Sequence, residues 1–129
     1  MYWDAPAAQR VWASSIPIVL CPLDITSTVP LTSDFIRRLG RQRRHPISDL
    51  AGHCYALVSH QPYYFWDVLT TAYIGIPEIF TLREWETELI ATGVSQGRTG
   101  LKAGGRRITA LDTVDTGRFY DYMLQQWAR

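Results

Sequence analysis

A mixed α/β domain is the fold class this sequence predicts, and two observations carry it. Near the start, a helical stretch runs directly into a short apolar run, as in the return half of a βαβ unit. Farther on, two alternating stretches flank a long glycine-rich connection, as antiparallel strands do. Hydrophobic residues make up 47% of the 129 positions, enough for a packed core, and five Trp and seven Tyr supply bulk to fill it.

Taken in order, Asp4 is placed to cap a helix over residues 5–14, with Pro6 in its first turn and Ala7, Ala8, Val11 and Trp12 as its apolar face. Residues 16–21 then have the composition of a short buried parallel strand. With a helix first and a strand second, the chain reads as a βαβ unit entered midway. Asp24, Ile25 and Thr26 form the expected turn. Thr32 to Asp34 caps a helix carrying Phe35, Ile36 and Leu39 and closing at Gly40. Ser48 or Asp49 caps another, its inner face being Leu50, Cys54, Leu57 and Val58, and Pro62 breaks it. Residues 63–66 lead into a helix over 67–73, with Asp67 at its N-terminal end, where the helix dipole favours a carboxylate. Strands are expected over 84–94 and 107–114, joined by a flexible loop around 97–105. Asp115 or Thr116 caps a last helix with Phe119, Tyr122, Met123 and Trp127 on one side.

Several functional classes are set aside by composition. A net charge of +1 gives no global field to recruit nucleic acid or an anionic membrane. Cys21 and Cys54 stand in no zinc or CxxC spacing and fit a reducing compartment better than a disulfide framework. The apolar stretch 16–23 is broken by Pro17 and Pro22 and is too short to span a bilayer. Residues 1–4 lack the basic start and apolar run of a signal peptide, so a cytoplasmic location is expected.

The five arginines within 37–44 read as a solvated helix end rather than a phosphate contact. The glycine loop lacks the order GxxxxGK[ST] and precedes a strand, which argues for a structural or substrate-covering role. Cys54 beside His53 and His60 reads as a core thiol rather than a nucleophile. His45, His53 and His60 have no pair at the i, i+4 spacing of a helical zinc motif. There remains Tyr63-Tyr64-Phe65-Trp66-Asp67. Its bland reading is core plus a helix start. Its functional reading is an aromatic pocket wall suited to flat heterocycles, with a carboxylate able to ligate a hard cation.

Tyr2-Trp-Asp4-Ala-Pro-Ala-Ala-Gln, followed by Ile16-Pro-Ile-Val-Leu-Cys-Pro-Leu-Asp24-Ile-Thr26, looks like the Asp-Pro-Glu-Ala-Ala helix and the strand ending Pro-Leu-Asp-Val-Thr of the inosine-uridine preferring nucleoside hydrolase family. Tyr64-Phe-Trp-Asp67-Val-Leu-Thr-Thr-Ala resembles its downstream His-Asp-Pro-Leu-Ala or Trp-Asp-Pro-Leu-Ala segment. Thr92-Gly-Val-Ser-Gln-Gly-Arg-Thr, a following strand, Asp115 and a final helix resemble its C-terminal end. The order and spacing of these motifs cover nearly the whole chain.

The resemblance implies a mixed, Rossmann-like α/β sheet, here an incomplete C-terminal portion with several helices and a few strands. It implies an N-ribohydrolase that splits nucleosides into ribose and free base, with calcium as cofactor and an oxocarbenium-like transition state. Asp67 matches a calcium-ligating aspartate. Trp66, with Tyr63 and Tyr64 beside it, would wall the base pocket; many members carry there a histidine that protonates the leaving base, which indole cannot do. Ala5-Pro6 in place of Pro-Glu and Val68 in place of Pro are milder departures. The family's opening Asp-x-Asp-x-Gly-x-Asp-Asp and its ribose-holding Glu-x-Asn have no counterpart here, so no catalytic residue is assigned to this chain. The expectation is therefore the C-terminal half of a nucleoside hydrolase, inactive alone, with a nucleoside as substrate and either a complementary N-terminal half or further copies of itself as partner. The alternative is a non-catalytic binding or assembly module that keeps the fold.

Overall fold

The computed structural model describes all of residues 1–129. The predicted class holds: helices accompany a four-stranded mixed sheet in which Val19–Leu20 (β1), Arg106–Val114 (β4), Phe80–Leu89 (β2) and Thr99–Leu101 (β3) lie side by side in that order. The chain forms two compact units, one of residues 1–20 and 82–111, the other of residues 21–81 and 112–129.

In the first unit a 3-10 turn, Tyr2–Asp4, leads into α1, Ala5–Ala13. The Asp4 side chain accepts a hydrogen bond from the Ala7 amide at 2.9 Å, as its position in sequence predicts. Ala5 and Trp12 are buried and Ala8 half-buried, so the inner face runs Ala5-Ala8-Trp12, while the expected Val11 is exposed. Strand β1 is only Val19–Leu20, because Pro17 and Pro22 withhold backbone donors on both sides. It pairs in parallel with β4, Arg106–Val114, through Val19 with Thr109 and Leu20 with Ala110. Its expected full burial is not observed: β1 lies at an edge of the sheet, and Val19 faces outward.

Strand β2, Phe80–Leu89, begins four residues earlier than the alternation suggested. Within the expected glycine loop lies β3, Thr99–Leu101, antiparallel to β2 with Thr87 opposite Leu101. Trp12, Leu89 and Ile108 form the apolar centre of this unit, with Trp85 and Leu20 against it. The Trp12 indole donates to the Thr87 hydroxyl at 3.1 Å, and that hydroxyl donates to the Arg106 carbonyl at 3.0 Å, so the buried threonine is fully used.

In the second unit, residues expected only to turn form a short helix, α2, Leu23–Thr26. Helix α3, Ser33–Arg41, is capped by Thr32, whose hydroxyl accepts from the Phe35 amide, and it carries Gly40 inside its last turn rather than ending there. Helix α4, Pro46–Val58, starts two residues before the expected caps, with Pro46 at its first position. Its inner side is also different. Ser48 and Tyr55 are buried, while Ile47, Leu50, Cys54 and Leu57 face outward. Ser48 accepts from the Gln42 amide at 3.1 Å and donates to the Trp127 carbonyl at 2.8 Å, which explains a hydroxyl with no exposure.

Helix α5, Trp66–Gly75, a 3-10 turn at Pro77–Ile79, and α6, Thr116–Trp127, complete the unit. Asp115 caps α6 by accepting from the Arg118 amide at 3.0 Å. Phe35, Phe65, Phe119, Leu39 and Leu69 are its most enclosed apolar side chains.

Gly97 shows how tightly the first unit is drawn together. Its φ is +81°, and a Cβ there would lie 2.5 Å from the Tyr2 Cα. Gly93 has the same backbone sign, φ +80°, but open space around it. Gly97→Ala should therefore lower stability by about 2–3 kcal/mol, and Gly93→Ala by only about 1 kcal/mol from backbone strain. Denaturant midpoints of the two variants measure the difference, and equal midpoints would refute the steric account.

Candidate active site at the start of α5

Tyr63, Tyr64, Phe65, Trp66 and Asp67 sit where the chain enters α5, and a core anchor positions them. Phe65 is the N-cap residue and is 1% exposed. Its ring meets Phe35 at 5.1 Å, Tyr55 at 5.3 Å and Phe119 at 5.4 Å between centroids, mostly edge to face. The backbone on either side is held by a short antiparallel bridge between Pro30 and Tyr64. The Leu31 amide donates to the Tyr63 carbonyl at 2.8 Å, and the Phe65 amide donates to the Val29 carbonyl at 3.1 Å.

With Phe65 driven inward, its neighbours turn outward. Trp66 is 38% exposed, and Tyr63 and Tyr64 are half-buried. The Tyr63 and Trp66 rings stand 4.8 Å apart in a T-shaped pair, and Tyr64 lies 5.9 Å from Trp66. Asp67 falls in the first turn of α5 and is exposed. A negative group there meets the positive end of the helix dipole. The helix makes no side-chain cap hydrogen bond, so the carboxylate is not consumed in capping.

On the next turn the Thr70 hydroxyl donates to the Trp66 carbonyl at 3.1 Å and the Thr71 hydroxyl to the Asp67 carbonyl at 2.9 Å. The Thr70 side chain also hydrogen-bonds Cys21, the residue that follows β1. That contact was not foreseen, since Cys21 and Thr70 are far apart in sequence.

The fit to a calcium ion is incomplete. No group of three or more His, Cys, Asp or Glu is placed to hold a metal. Calcium takes about six to eight oxygens, and Asp67 offers at most two. The residues of this chain alone therefore do not fit a calcium site. Three surface hollows of about 310, 480 and 350 Å³ lie elsewhere, beside Arg41 and Gln125, beside Trp85 and Arg107, and beside Gln9 and Gly105; residues 63–67 line none of these three.

The other candidates resolve as local structure. Arg37 pairs with Asp34 at 3.2 Å, Arg43 with Asp49 at 2.6 Å, and Arg38 with Asp121. Lys102 of the glycine loop pairs with Glu88 at 2.7 Å, and the Gly104 amide donates to Glu86. His45 precedes α4, and His53 meets Arg43 and the Asp49 carbonyl. Cys54 corrects the sequence expectation of a core thiol: it is exposed, because α4 turns Tyr55 inward instead.

The family model for inosine-uridine preferring nucleoside hydrolase matches residues 1–121. The chain belongs to that family. It is 30% identical, over 120 residues, to the non-specific ribonucleoside hydrolase RihC of Salmonella agona (strain SL483), covering 84% of this chain and 39% of that one. A solved inosine-uridine preferring nucleoside hydrolase from Bacillus anthracis superposes with a TM-score of 0.88 at 37% identity, over 98% of this chain and 41% of its own. A plant nucleoside hydrolase, PpNRh1, shares the fold with a TM-score of 0.81 at 20% identity, over 98% of this chain and 46% of its own. This nucleoside hydrolase-family chain thus spans about two fifths of the length of these relatives. No helix in it is long and apolar enough to cross a membrane.

The two thiols differ in a way that solution chemistry reads directly. Burial pushes the Cys21 thiol above its usual value of 9.0, with the Thr70 hydrogen bond opposing the shift, whereas Cys54 is exposed. Because the folded value is raised, the neutral thiol contributes stability below pH 9 that is lost as pH climbs through the folded value. At pH 8 iodoacetamide should alkylate Cys54 at least about tenfold faster than Cys21, the thiolate being the reactive form. Denaturant should bring the rates together. Intact-mass kinetics give the answer, and equal rates in the folded chain would contradict the placement of Cys21.

Proposed function

We propose that this chain supplies part of the active surface of a nucleoside N-ribohydrolase, an enzyme cleaving the bond between ribose and a nucleobase. Asp67 is its metal-ligating carboxylate, one contributor to a calcium site whose other oxygens come from outside these residues. Trp66, with Tyr63 and Tyr64, walls the base side. The observation that carries this reading is an exposed, uncapped carboxylate in the first turn of α5, immediately after an outward-facing indole, in a chain of this family. The names of the relatives support the substrate class, since they act on ribonucleosides or prefer inosine and uridine.

The chemistry of the segment bounds its contribution. Carboxylate oxygens are hard ligands suited to calcium. Aromatic faces stack on bases of any identity for about 1–3 kcal/mol each. Indole carries no proton to give near neutral pH, so base departure relies on stacking, on an acid outside the segment, or on a base that leaves readily. The catalytic base is assigned to no residue here, and by itself the chain is expected to be inactive. The same reading has it acting in the cytoplasm, beside a complementary hydrolase half or further copies of itself.

A second reading has one observation in its favour: the residues present do not fit a complete metal site. On it, the chain is a binding or assembly module that keeps the fold without the chemistry.

Supplying the aspartate-rich N-terminal half of a family member should separate the two. The hydrolase reading expects calcium-dependent release of free base from inosine or uridine, abolished by chelation and lowered at least about 100-fold by Asp67→Ala, as loss of a metal-site group does. Base release unaffected by Asp67→Ala would remove Asp67 from the site, and no release under any condition would favour the module.

A further inference from the structure

We infer that Tyr120, on α6, is a positioning residue that holds the Tyr63–Trp66 ring wall in place by donating its hydroxyl to the Pro30 carbonyl. The inference rests on the reading of that wall as the face a nucleobase meets.

The geometry of the bridge makes the contact more than one surface hydrogen bond. Pro30 and Tyr64 face each other antiparallel, and the flanking bonds are Leu31 amide to Tyr63 carbonyl and Phe65 amide to Val29 carbonyl. Pro30 and Tyr64 are thus the pair that exchanges no backbone bonds with each other. At such a position a proline withholds nothing, since its missing N–H would have pointed away from the partner. Its carbonyl points away as well and is left to accept from a donor on another element. The Tyr120 hydroxyl is that partner.

Tyr120 is itself rigidly placed. Asp115 caps α6, the Asp115 amide donates to the Ile79 carbonyl at 2.9 Å, and Arg118 reaches Glu78 at 3.3 Å. Phe119 beside it is fully buried. The Tyr120 ring lies 5.3 Å from Phe35 and 5.9 Å from Phe65, the anchor that sets the start of α5. Burial raises the phenol above its usual range, so the hydroxyl stays protonated and able to donate at any physiological pH. One side chain on α6 therefore grips both the ring that anchors the wall and the segment the wall is bonded to.

Tyr120→Phe removes the hydroxyl and keeps the ring. The expected result, in the 129-residue chain, is amide hydrogen exchange about tenfold faster at Leu31 and Phe65, as for one lost hydrogen bond of about 1.4 kcal/mol. The denaturation midpoint should fall by no more than that one bond accounts for, and exchange elsewhere in α5 and α6 should rise no more than that. Tyr122→Phe, on the same helix but facing Gly75, should leave Leu31 and Phe65 as they are. Unchanged exchange at both amides in Tyr120→Phe would overturn the proposal. So would loosening seen only with Tyr120→Leu, which would assign the role to the ring. Titration with hypoxanthine, followed at the Trp66 indole N–H by NMR, is read separately. Its failure in the unsubstituted chain counts against the nucleoside reading, whereas the exchange result alone decides the role of Tyr120.

Discussion

The start of α5 depends on one buried ring. Most helices begin with a polar residue whose side chain satisfies a free amide. Here the N-cap is Phe65, sunk among Phe35, Tyr55 and Phe119, and no side chain caps the helix. The entry angle is set by core packing and by the bridge to residues 29–31 instead. This leaves the first-turn carboxylate of Asp67 exposed, and it sends Trp66 outward because its neighbour must go inward. A polar cap in place of Phe65 would satisfy an amide but would lose the anchor that gives the ring wall its orientation.

Much of the helical framework was legible because its caps are local. Asp4, Thr32 and Asp115 each accept from an amide three residues on, a relation written in adjacent letters of the chain. Helix α4 shows where that kind of reading stops. The spacing of Leu50, Cys54 and Leu57 marks one face correctly, but periodicity does not say which face is turned inward. Tyr55 is inward because its ring meets Phe35, Phe65 and Trp127, and Ser48 because it bonds Gln42 and Trp127. Phe35, Phe65 and Trp127 lie on other elements, which local spacing does not reveal. Strand β3 escaped notice for a simpler reason: three residues, one a glycine, carry too little alternation to see.

The site divides along the same line. That Asp67 opens a helix behind a run of aromatics could be read from five consecutive residues. That Pro30 lies beside Tyr64, Tyr120 over Pro30, and Cys21 against Thr70 could not, since each pairing joins separate elements. Family membership was legible because its motifs are ordered along the chain, and the family model matches residues 1–121.

The outward side of α4 bears on how copies of this chain behave toward one another in solution. Ile47, Leu50, Cys54 and Leu57 stand in a line at spacings of three, four and three, and Leu57 is 76% exposed. With a net charge of +1 and an isoelectric point near 7.8, electrostatic repulsion between molecules is close to its minimum at neutral pH. Hydrocarbon contact between copies is then opposed by little charge repulsion near neutrality, whereas acid or base adds charge of one sign that opposes it.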